Sequence, residues 1–351
     1  MPLKKILISF DDYFSILSCL KKEFEELDIE VNIFSTNRSG HWLNQFFYKK
    51  INKIAKKMGL IPNDKDLFKW SRFSYENFRD CQFVDRINQF KPDLILCIHG
   101  HMIGEAALRE TTIPKLGWWV EPNPNIENLI RFAKLFDLYL SYDSKIVDLL
   151  SNLNIRSEYQ SHVASPSDFY PIPEMEKDID VLFYGSWSPW REEVLFAAHK
   201  ATKNIALYGN HWKKNCVFFS TKDLQSILRG RDIVGPHLNE IKNRSKIVLG
   251  AQRLKESTAG LDTRAFDALA SGALLLTDAP KDLFRHFKNQ EDCLVYQRSE
   301  EVPDLIKAVL DGHVDVDAIK KSGREKVLQN LTYKTLCKKI ASHIPSTAAL
   351  P

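Results

Sequence analysis

The amino-acid sequence predicts an α/β protein built from two successive doubly wound, Rossmann-like domains. Apolar runs typical of buried strands alternate with helical segments along most of the chain. The alternation restarts after a segment at 165–178 that is rich in proline and acidic residues. The length of 351 residues exceeds the usual size of one compact domain. Continuous apolar strands are typical of parallel sheets that helices cover on both faces.

The first half begins this pattern with strand-like runs at 5–10, 30–36, 92–100, 113–120 and 136–143. Amphipathic helices are predicted at 13–27 and 74–90, between the first runs. The second half continues with predicted strands at 178–186, 205–210, 232–236, 245–251, 273–278 and 293–297. Helices are predicted from about 191, between the strands at 245–251 and 273–278, and over 302–312 and 316–344. These elements predict an N-terminal domain at 1–168, a linker at 169–178, a C-terminal domain at 179–330 and a terminal helix and tail at 331–351, which would cross back to the first domain.

The composition narrows the class of protein. Hydrophobic residues make up 44% of the chain and charged residues 27%, which is ordinary for a soluble globular protein. The net charge of +4 does not imply a nucleic-acid partner, and none is expected. Six scattered cysteines fit a reducing compartment, and no run approaches the roughly 18 apolar residues of a membrane span. The sequence therefore predicts a cytoplasmic protein.

Glycines follow several predicted strands of the second half. The chain has neither the GxGxxG nor the GxxxxGK[ST] fingerprint, but Gly185, Gly209 and Gly235 each follow a strand-like run. A glycine at this place allows a tight turn or the close approach of a ligand. A simple turn glycine explains any one of them, whereas three in one domain favour a shared ligand site at the carboxyl ends of the strands.

The segment "GLDTRAFDALASGALLLTD" at 260–278 combines a helix with a buried strand. Asp262 is the predicted N-cap of the helix, and Gly272 ends it. The free N–H groups of the first turn suit a phosphate, and Arg264 beside them is placed for a bidentate phosphate contact. Asp267, one turn later, is placed to accept hydrogen bonds from two vicinal sugar hydroxyls. The alternative is an ordinary helix with an exposed arginine and aspartate.

The second half resembles a GT-B glycosyltransferase domain, specifically the spore-maturation (CgeB-like) group of the glycosyl transferase group 1-like family. The resemblance rests on "DVLFYGSWSPWREEVL", "ALYGNHW", "IKNRSKIVLGAQRLKESTAGLDTRAFDALASGALLLTD" and "SGREKVLQNLTY". The group reads Gly-x-x-x-Arg-x-Phe-Glu-Ala-Leu-Ala-x-Gly where this chain has 260–272. "IPKLGWWVEPNP" and "HVASPSDFYP" resemble the first half of the group more loosely. The resemblance implies two Rossmann-like domains that face a cleft, with C-terminal helices.

By this resemblance the second half binds a nucleotide-sugar donor, of UDP or GDP type. Asp267 would hold the ribose, while Gly185 with Arg191, and Arg264 with the helix N-terminus, would hold the diphosphate. The "GPHL" loop with His237 would lie near the base. The remaining donor-binding candidates are Gly209, Arg253, Lys255, Gly260 and Leu261. For Arg253 and Lys255 a solvated surface cation is an equal alternative.

Two departures from the family pattern concern the donor site. Asp267 stands where the group has glutamate, and Ala259 stands where the wider family often has another glutamate. The retaining mechanism of the wider family is therefore not assumed for this chain.

Candidates for the acceptor side follow strands of the first half. Asp12 follows the first strand, His101 follows "LILCI", and Glu121 follows "GWW". Transfer to a hydroxyl needs a group that takes its proton or a site that stabilises the leaving diphosphate. Glu121 is the first candidate for the base and His101 the second, although a lone residue at a strand end is more often a structural hydrogen-bonding group.

The segment at 41–60 carries aromatic residues followed by five lysines, with Ile51, Ile54 and Met58 at helical spacing. Such a basic amphipathic helix can lie on an anionic membrane, here at the inner face. The alternative is a helix whose apolar face packs on the core and whose lysines are solvated.

Together these observations predict a glycosyltransferase that moves a sugar from a nucleotide-sugar to a hydroxyl of a glycan or lipid-linked acceptor, in the synthesis of a cell-surface glycan or glycoconjugate. No metal or other cofactor is expected, because arginine and a helix dipole can neutralise the diphosphate. A sugar-nucleotide epimerase or hydrolase on the same fold, and a non-catalytic nucleotide-binding protein, are the alternatives.

Overall fold

The computed structural model describes residues 2–11, 15–36, 40–63, 65–100, 102–122, 125–253 and 258–342. The chain forms two units, each with its own parallel sheet. The first unit comprises 1–141, 146–159 and the residues from 337 on, and the second comprises 142–145 and 160–336. Residues 160–178, which include the predicted linker, belong to the second unit in the structure.

The sheet of the first unit has six strands in the order β2-β1-β3-β4-β5-β6, and every pair is parallel. Its strands are β1 (Lys5–Ser9), β2 (Glu30–Phe34), β3 (Leu94–Ile98), β4 (Lys115–Trp119), β5 (Leu138–Ser141) and β6 (Ser157–Tyr159). Strand β1 occupies an inner place, where Ile8 pairs with Ile33 on one side and Leu96 on the other. All five residues of β3 are buried, as its unbroken apolar sequence predicts.

The helices of the first unit connect these strands. They are α1 (Ile16–Glu25), a π-helix (Asn44–Tyr48) that continues into α2 (Lys49–Lys57), α3 (Tyr75–Phe90), α4 (Glu105–Glu110), α5 (Ile126–Ala133) and α6 (Ser144–Asn152). Helix α3 begins at the N-cap Ser74, whose side chain accepts a hydrogen bond from the N–H of Asn77. The helices that were predicted at 13–27 and 74–90 are confirmed as α1 and α3.

The sheet of the second unit also has six parallel strands, in the order β12-β11-β10-β7-β8-β9. Its strands are β7 (Ile179–Tyr184), β8 (Ile205–Tyr208), β9 (Leu228–Gly230), β10 (Ser245–Leu249), β11 (Leu274–Asp278) and β12 (Leu294–Tyr296). Alternate residues of β7 pack on opposite faces, since Val181 and Phe183 join one apolar core and Leu182 joins the other. The second unit is therefore doubly wound, with a core on each side of its sheet.

Helices cover both faces of this second sheet. They are α7 (Pro189–Ala201), α8 (Trp212–Asn215), α9 (Thr221–Ile227), α10 (Gly235–Arg244), α11 (Thr263–Ala270), α12 (Val302–Leu310) and α13 (Val316–Asn330). The last helix, α14 (Tyr333–Ser342), begins in the second unit and continues into the part of the chain that belongs to the first unit. Short 3₁₀ helices span Lys281–Arg285 and Ser299–Glu301. Among the described residues, no helix combines the length and the apolar character that crossing a membrane requires.

One predicted strand of the second half is wrong. The run at 232–236 is not a strand, since β9 ends at Gly230 and α10 begins at Gly235. Ile233 is buried but Val234 is 66% exposed, so the run is a short connection with one anchored side chain. Gly235 consequently begins a helix, with a φ of 60°, and does not end a strand.

Candidate functional site

Helix α11 begins and ends as the sequence predicts. The side chain of Asp262 accepts a hydrogen bond of 3.1 Å from the N–H of Arg264, so Asp262 is the N-cap. The helix ends before Gly272, which has a φ of 68°, and β11 follows directly. The start of this helix is the place where the donor-binding residues of the second unit were predicted.

Two arginine side chains converge beside Gly185 at the carboxyl end of β7. Arg191 comes from the first turn of α7 and Arg264 from the first turn of α11, and each is only 7% exposed. Both donate hydrogen bonds to the carbonyl oxygen of Ala251, at 3.0 and 3.1 Å. Both also approach the carboxylate of Asp262, at 3.5 and 3.1 Å. Two strands and two helix N-termini thus hold a pair of guanidinium groups around a single carboxylate.

The electrostatics of this arginine pair favour an anionic ligand. Burial, and then the positive charge of Arg264, lower the pKa of Arg191 to about 9, while Asp262 opposes this shift. Arg191 therefore stays charged at neutral pH. Two cations with one neighbouring carboxylate leave a local excess of positive charge, and the N–H groups at the start of α11 add to it.

Two glycines allow this close arrangement. A Cβ atom on Gly185 would lie 2.8 Å from Nη2 of Arg264 and 3.1 Å from Nη1 of Arg191. A Cβ atom on Gly209 would overlap the carbonyl oxygen of Gly185, which accepts a hydrogen bond of 2.9 Å from Nε1 of Trp212. Gly185 therefore makes room for the guanidinium groups, and Gly209 makes room for Gly185.

Asp267 lies one helical turn after Arg264, and its side chain is partly exposed. Burial raises the pKa of the Asp267 carboxyl, whereas the charge of Lys242 lowers it. Lys242 belongs to α10 and is completely buried. The sequence analysis did not predict a role for Lys242, because this lysine lies among polar residues of a helix and the local sequence does not show that it is buried. The structure thus brings a second buried cation to the predicted ribose-binding carboxylate.

A small pocket opens next to this cluster. Leu261, a predicted donor-binding residue, is one of the residues that line it, together with Asp262. The full lining consists of Ala251, Gln252, Leu261, Asp262, Ala265, Thr277, Asp278 and Pro280. Among these lining residues, Asp278 has a carboxylate that accepts hydrogen bonds from the N–H of Gln252 and from Nε1 of Trp190, at 2.8 and 3.1 Å.

The other donor-binding candidates lie in different surroundings. His237 is in the first turn of α10, with a side chain that is 60% exposed and lies 3.6 Å from Glu240. Arg253 is exposed. A Cβ atom on Gly260 would overlap the carbonyl group of Tyr142, so packing alone explains this glycine. Lys255 lies outside the described residues. The ligand contacts of these residues remain predictions.

The acceptor-side candidates follow strands of the first unit. Glu121 is exposed, and its Oε1 lies 3.9 Å from Nε2 of His99, which follows β3. Asp11 follows β1 and accepts hydrogen bonds from the hydroxyls of Ser35 and Thr36. The candidates Asp12 and His101 lie outside the described residues. The carboxyl ends of β3 and β4 thus bring a histidine and a glutamate together.

Within the described parts of the chain, no group of three or more histidine, cysteine, aspartate or glutamate side chains is placed to hold a metal ion. That the reaction needs no metal stays a prediction from the sequence.

Comparisons with known proteins agree with this architecture. Residues 188–342, most of the second unit, match a family described as glycosyl transferase-like. Among curated proteins, none matches the sequence. Similar solved structures include a sucrose-phosphate synthase from Thermosynechococcus elongatus, with a TM-score of 0.67 and 11% identity over 97% of this chain and 98% of that chain.

Two further structures have the same fold. A glycosyltransferase from Rickettsia africae has a TM-score of 0.64 and 13% identity, and covers 98% of this chain and 100% of its own. HepE from Anabaena, in complex with UDP, has a TM-score of 0.62 and 12% identity over 96% of this chain and 98% of its own. Likeness at such low identity shows the fold, and the match at 188–342 adds the family of the second unit. Residues 188–342 thus match a glycosyl transferase-like family, and the chain as a whole has the fold of these solved structures.

Proposed function

We propose that this protein is a glycosyltransferase of the GT-B type, which binds a nucleoside-diphosphate sugar in its second unit and transfers the sugar to a hydroxyl group of an acceptor. The observation that carries the proposal is the pair of buried guanidinium groups, Arg191 and Arg264, beside Gly185. Guanidinium groups bind phosphate oxygens bidentately and keep their charge when buried. Such a pair suits the diphosphate of the donor better than it suits a neutral sugar.

The same pair supports the chemical step. When the bond between the sugar and the diphosphate of the donor breaks, negative charge develops on the leaving diphosphate. Preorganised cations at that place stabilise the charge without reorganisation at the moment of reaction. We therefore propose that Arg191, Arg264 and the first turn of α11 stabilise the leaving group, and that transfer needs no metal ion.

Asp267 is the proposed ligand of the donor ribose. A carboxylate accepts two hydrogen bonds, which matches two vicinal hydroxyls of a ribose. Its position one turn after Arg264 on α11 supports this role, because the ribose adjoins the diphosphate in every nucleotide-sugar. The aspartate side chain is one methylene shorter than glutamate, so the ribose would approach α11 more closely.

The base of the donor is proposed from the similar structures. HepE has been solved with UDP, with UDP and glucose, and with UDP-glucose. A uridine nucleotide is therefore the first candidate for this chain, and a guanosine nucleotide is the second. His237 and Arg253 are proposed to lie near the base and the phosphates respectively.

Glu121 is the proposed base that accepts the proton of the acceptor hydroxyl. It is exposed at the carboxyl end of β4, and His99 lies 3.9 Å away. The acceptor is proposed to be a glycan or a lipid-linked glycan. Asp12 and His101 remain further candidates at neighbouring strand ends.

A thermal-shift screen against nucleoside mono- and diphosphates tests the donor site. We expect at least one nucleoside diphosphate to raise the melting temperature, and to raise it more than its monophosphate, because the second phosphate reaches the arginine pair. A ligand at 100 times its Kd stabilises the folded state by about 2.7 kcal/mol. If no nucleotide changes the melting temperature, the proposal is wrong.

Product analysis separates the alternatives of the same fold. A transferase releases the nucleoside diphosphate only when an acceptor is present, whereas a hydrolase releases it without one. An epimerase converts the nucleotide-sugar into its isomer with no release, and a non-catalytic binding protein changes nothing.

We also propose that the first unit contacts the anionic lipids at the inner face of a membrane. The support is an apolar stripe, defined here as Phe47, Ile51, Ile54 and Met58, which are 52%, 44%, 58% and 67% exposed. Their spacing of four, three and four residues places them on one face of the helical segment. The side that packs on the protein carries Asn52 and Ala55 instead. The alternative prediction, a helix whose apolar residues Ile51, Ile54 and Met58 pack on the core, is therefore wrong.

Charge complementarity supports the choice of an anionic bilayer. Lys49, Lys50, Lys53 and Lys57 are exposed on the same helix, and the helical spacing places Lys50 and Lys57 nearest to the apolar stripe. Each lysine near an anionic surface contributes about 1 kcal/mol to binding, and burial of apolar side chains adds to it. Contact with a membrane would suit a lipid-linked acceptor.

Vesicle co-sedimentation tests this contact. We expect binding to vesicles that contain 30% phosphatidylglycerol, weaker binding at high salt, and little binding to pure phosphatidylcholine. The double variant Ile51→Ser/Ile54→Ser should bind less than one fifth as well, while Lys213→Glu/Lys214→Glu, on exposed lysines of the second unit, should bind normally. If neither the wild type nor the two variants sediment with anionic vesicles, the proposed membrane contact is wrong.

A further inference from the structure

Trp42 is held at the surface of the first unit by its neighbours in the chain. Its side chain is 56% exposed. His41, directly before it, stacks on Phe73 with ring centroids 4.4 Å apart and meets the ring of Phe78 edge to face at 4.9 Å. Asn44, two residues after Trp42, is buried. Large apolar side chains that are exposed beside one another indicate an interaction surface, so the surroundings of Trp42 decide its role.

A π-helix brings Trp42 onto the same face as the apolar stripe. In an α-helix, residues five apart point about 140° away from each other. The turn at Asn44–Tyr48 is a π-helix instead, in which the N–H of Lys49 donates to the carbonyl of Asn44, five residues earlier. The rings of Trp42 and Phe47 lie edge to face, with centroids 6.2 Å apart. Trp42 therefore adjoins the first member of the apolar stripe and extends it.

The surroundings of this extended stripe favour an anionic bilayer as the partner. Among the described residues, sixteen large apolar side chains are exposed, and nine of them lie within 42–70. The sequence at 41–60 contains five lysines and no acidic residue. Lys50 and Lys57 are exposed nearest to the apolar stripe. A row of apolar side chains with lysines alone beside it complements anionic headgroups above an apolar interior.

We propose that Trp42 is the interfacial anchor of this surface, with its indole ring at the level of the lipid headgroups. The proposal rests on the membrane contact proposed above and assigns the residue that fixes one end of the bound helix. Tryptophan favours the boundary between headgroups and acyl chains because its ring is apolar while its indole N–H donates a hydrogen bond. The π-helix thus has a function, which is to align this anchor with the apolar stripe.

Trp70 provides a matched control for Trp42. It is 82% exposed, but its segment packs on another side of the helix. The N–H of Leu67 donates to Oδ1 of Asn52 at 3.0 Å, and the ring of Phe68 stacks on that of Tyr48 at 4.1 Å. Asn52 lies on the side of the helix that packs on the protein, away from the apolar stripe. We therefore expect Trp70 to stay in water when the stripe binds a membrane.

Quenching of tryptophan fluorescence by brominated lipids tests the anchor in the full-length protein. Of the seven tryptophans, all of which the structure describes, Trp42 and Trp70 are the two that are exposed. Wild type, Trp42→Phe and Trp70→Phe are mixed with vesicles that contain 30% phosphatidylglycerol and a phosphatidylcholine brominated near the headgroup. We expect clear quenching in the wild type and in Trp70→Phe, and loss of most of it in Trp42→Phe.

Co-sedimentation with unbrominated vesicles of the same composition measures the affinity. We expect Trp42→Ala to bind about fivefold more weakly than the wild type, because it loses the apolar ring and the indole N–H together. Trp42→Phe keeps an apolar ring and should bind only about twofold more weakly. Trp70→Ala should match the wild type. Both tryptophans are exposed, so equal melting temperatures should show that all variants remain folded.

The outcomes separate this inference from the proposed membrane contact. If the wild type sediments with anionic vesicles but Trp42→Phe leaves the quenching unchanged, the inference alone is wrong. The same holds if Trp70→Ala weakens binding as much as Trp42→Ala does. If the wild type does not sediment with these vesicles, the membrane contact and the inference are both wrong. If Trp42→Ala instead converts a dimer in solution into a monomer, the surface joins copies of this chain and the inference is wrong.

Discussion

Replacement of Arg264 by methionine is expected to weaken nucleoside-diphosphate binding by about a hundredfold. Loss of one partner of a buried, charge-assisted interaction costs about 2–5 kcal/mol, which corresponds to a factor of roughly 30 or more. Arg264 also contacts Asp262 and Ala251, so methionine removes one of the two guanidinium groups that lie beside the Asp262 carboxylate. Calorimetry with the nucleotide found in the thermal screen measures the effect.

Two further variants make this result interpretable. Arg298→Met removes an exposed arginine of the same unit, which pairs with Glu301, and should bind nucleotide normally. Arg264→Lys keeps the charge but lacks the bidentate geometry, so we expect intermediate affinity. Normal nucleotide affinity in a folded Arg264→Met protein would contradict the placement of the diphosphate.

The second large effect is expected at Gly209. Alanine at this position would place a Cβ atom on the carbonyl oxygen of Gly185, and this backbone cannot move freely. The N–H of Gly185 donates to the carbonyl of Tyr208 at 2.8 Å, and the N–H of Gly209 donates to that of Gly230 at 3.0 Å. We expect Gly209→Ala to destabilise the second unit by about 3 kcal/mol, at the upper end of the cost of overpacking.

The matched control for this change is Gly312→Ala. Gly312 also has a positive φ, of 77°, but apart from its chain neighbours no atom of the described residues lies within 4 Å of the position of an added Cβ. Its cost should be only the 1–2 kcal/mol of left-handed backbone. Hydrogen exchange at the amides of β7 and β8 reports the stability of the second unit separately from the first. Equal protection in both variants would show that the contact with Gly185 is unimportant.

Much of the fold was predictable because strands and helices are local patterns. The unbroken apolar run predicts strand β3, and the N-cap and helical spacing predict α11, without any information about tertiary contacts. The error at 232–236 has the same origin. Two apolar residues between turn residues look like a strand edge, and the sequence does not show that Val234 is solvent-exposed.

The candidate site was predictable only in part. Arg264 stands out because a charge in the first turn of a packed helix has a recognisable position, whereas Arg191 was found through the family resemblance alone. Lys242 escaped notice, since the burial of a charged side chain is decided by residues distant in sequence, here Phe169 and Tyr184. Gly209 was recognised as special, but its steric role came from the structure.

By itself, the sequence determined the two doubly wound domains and the start of α11, because hydrophobic period and capping are encoded within a few residues. Only the tertiary structure decided which charges are buried together and which apolar side chains face outward. It joined Arg191, Arg264 and Lys242 from three helices, and turned Ile51 and Ile54 away from the core. Contacts between segments distant in sequence decide both the burial of these charges and the exposure of these apolar side chains. Local sequence patterns do not predict such contacts.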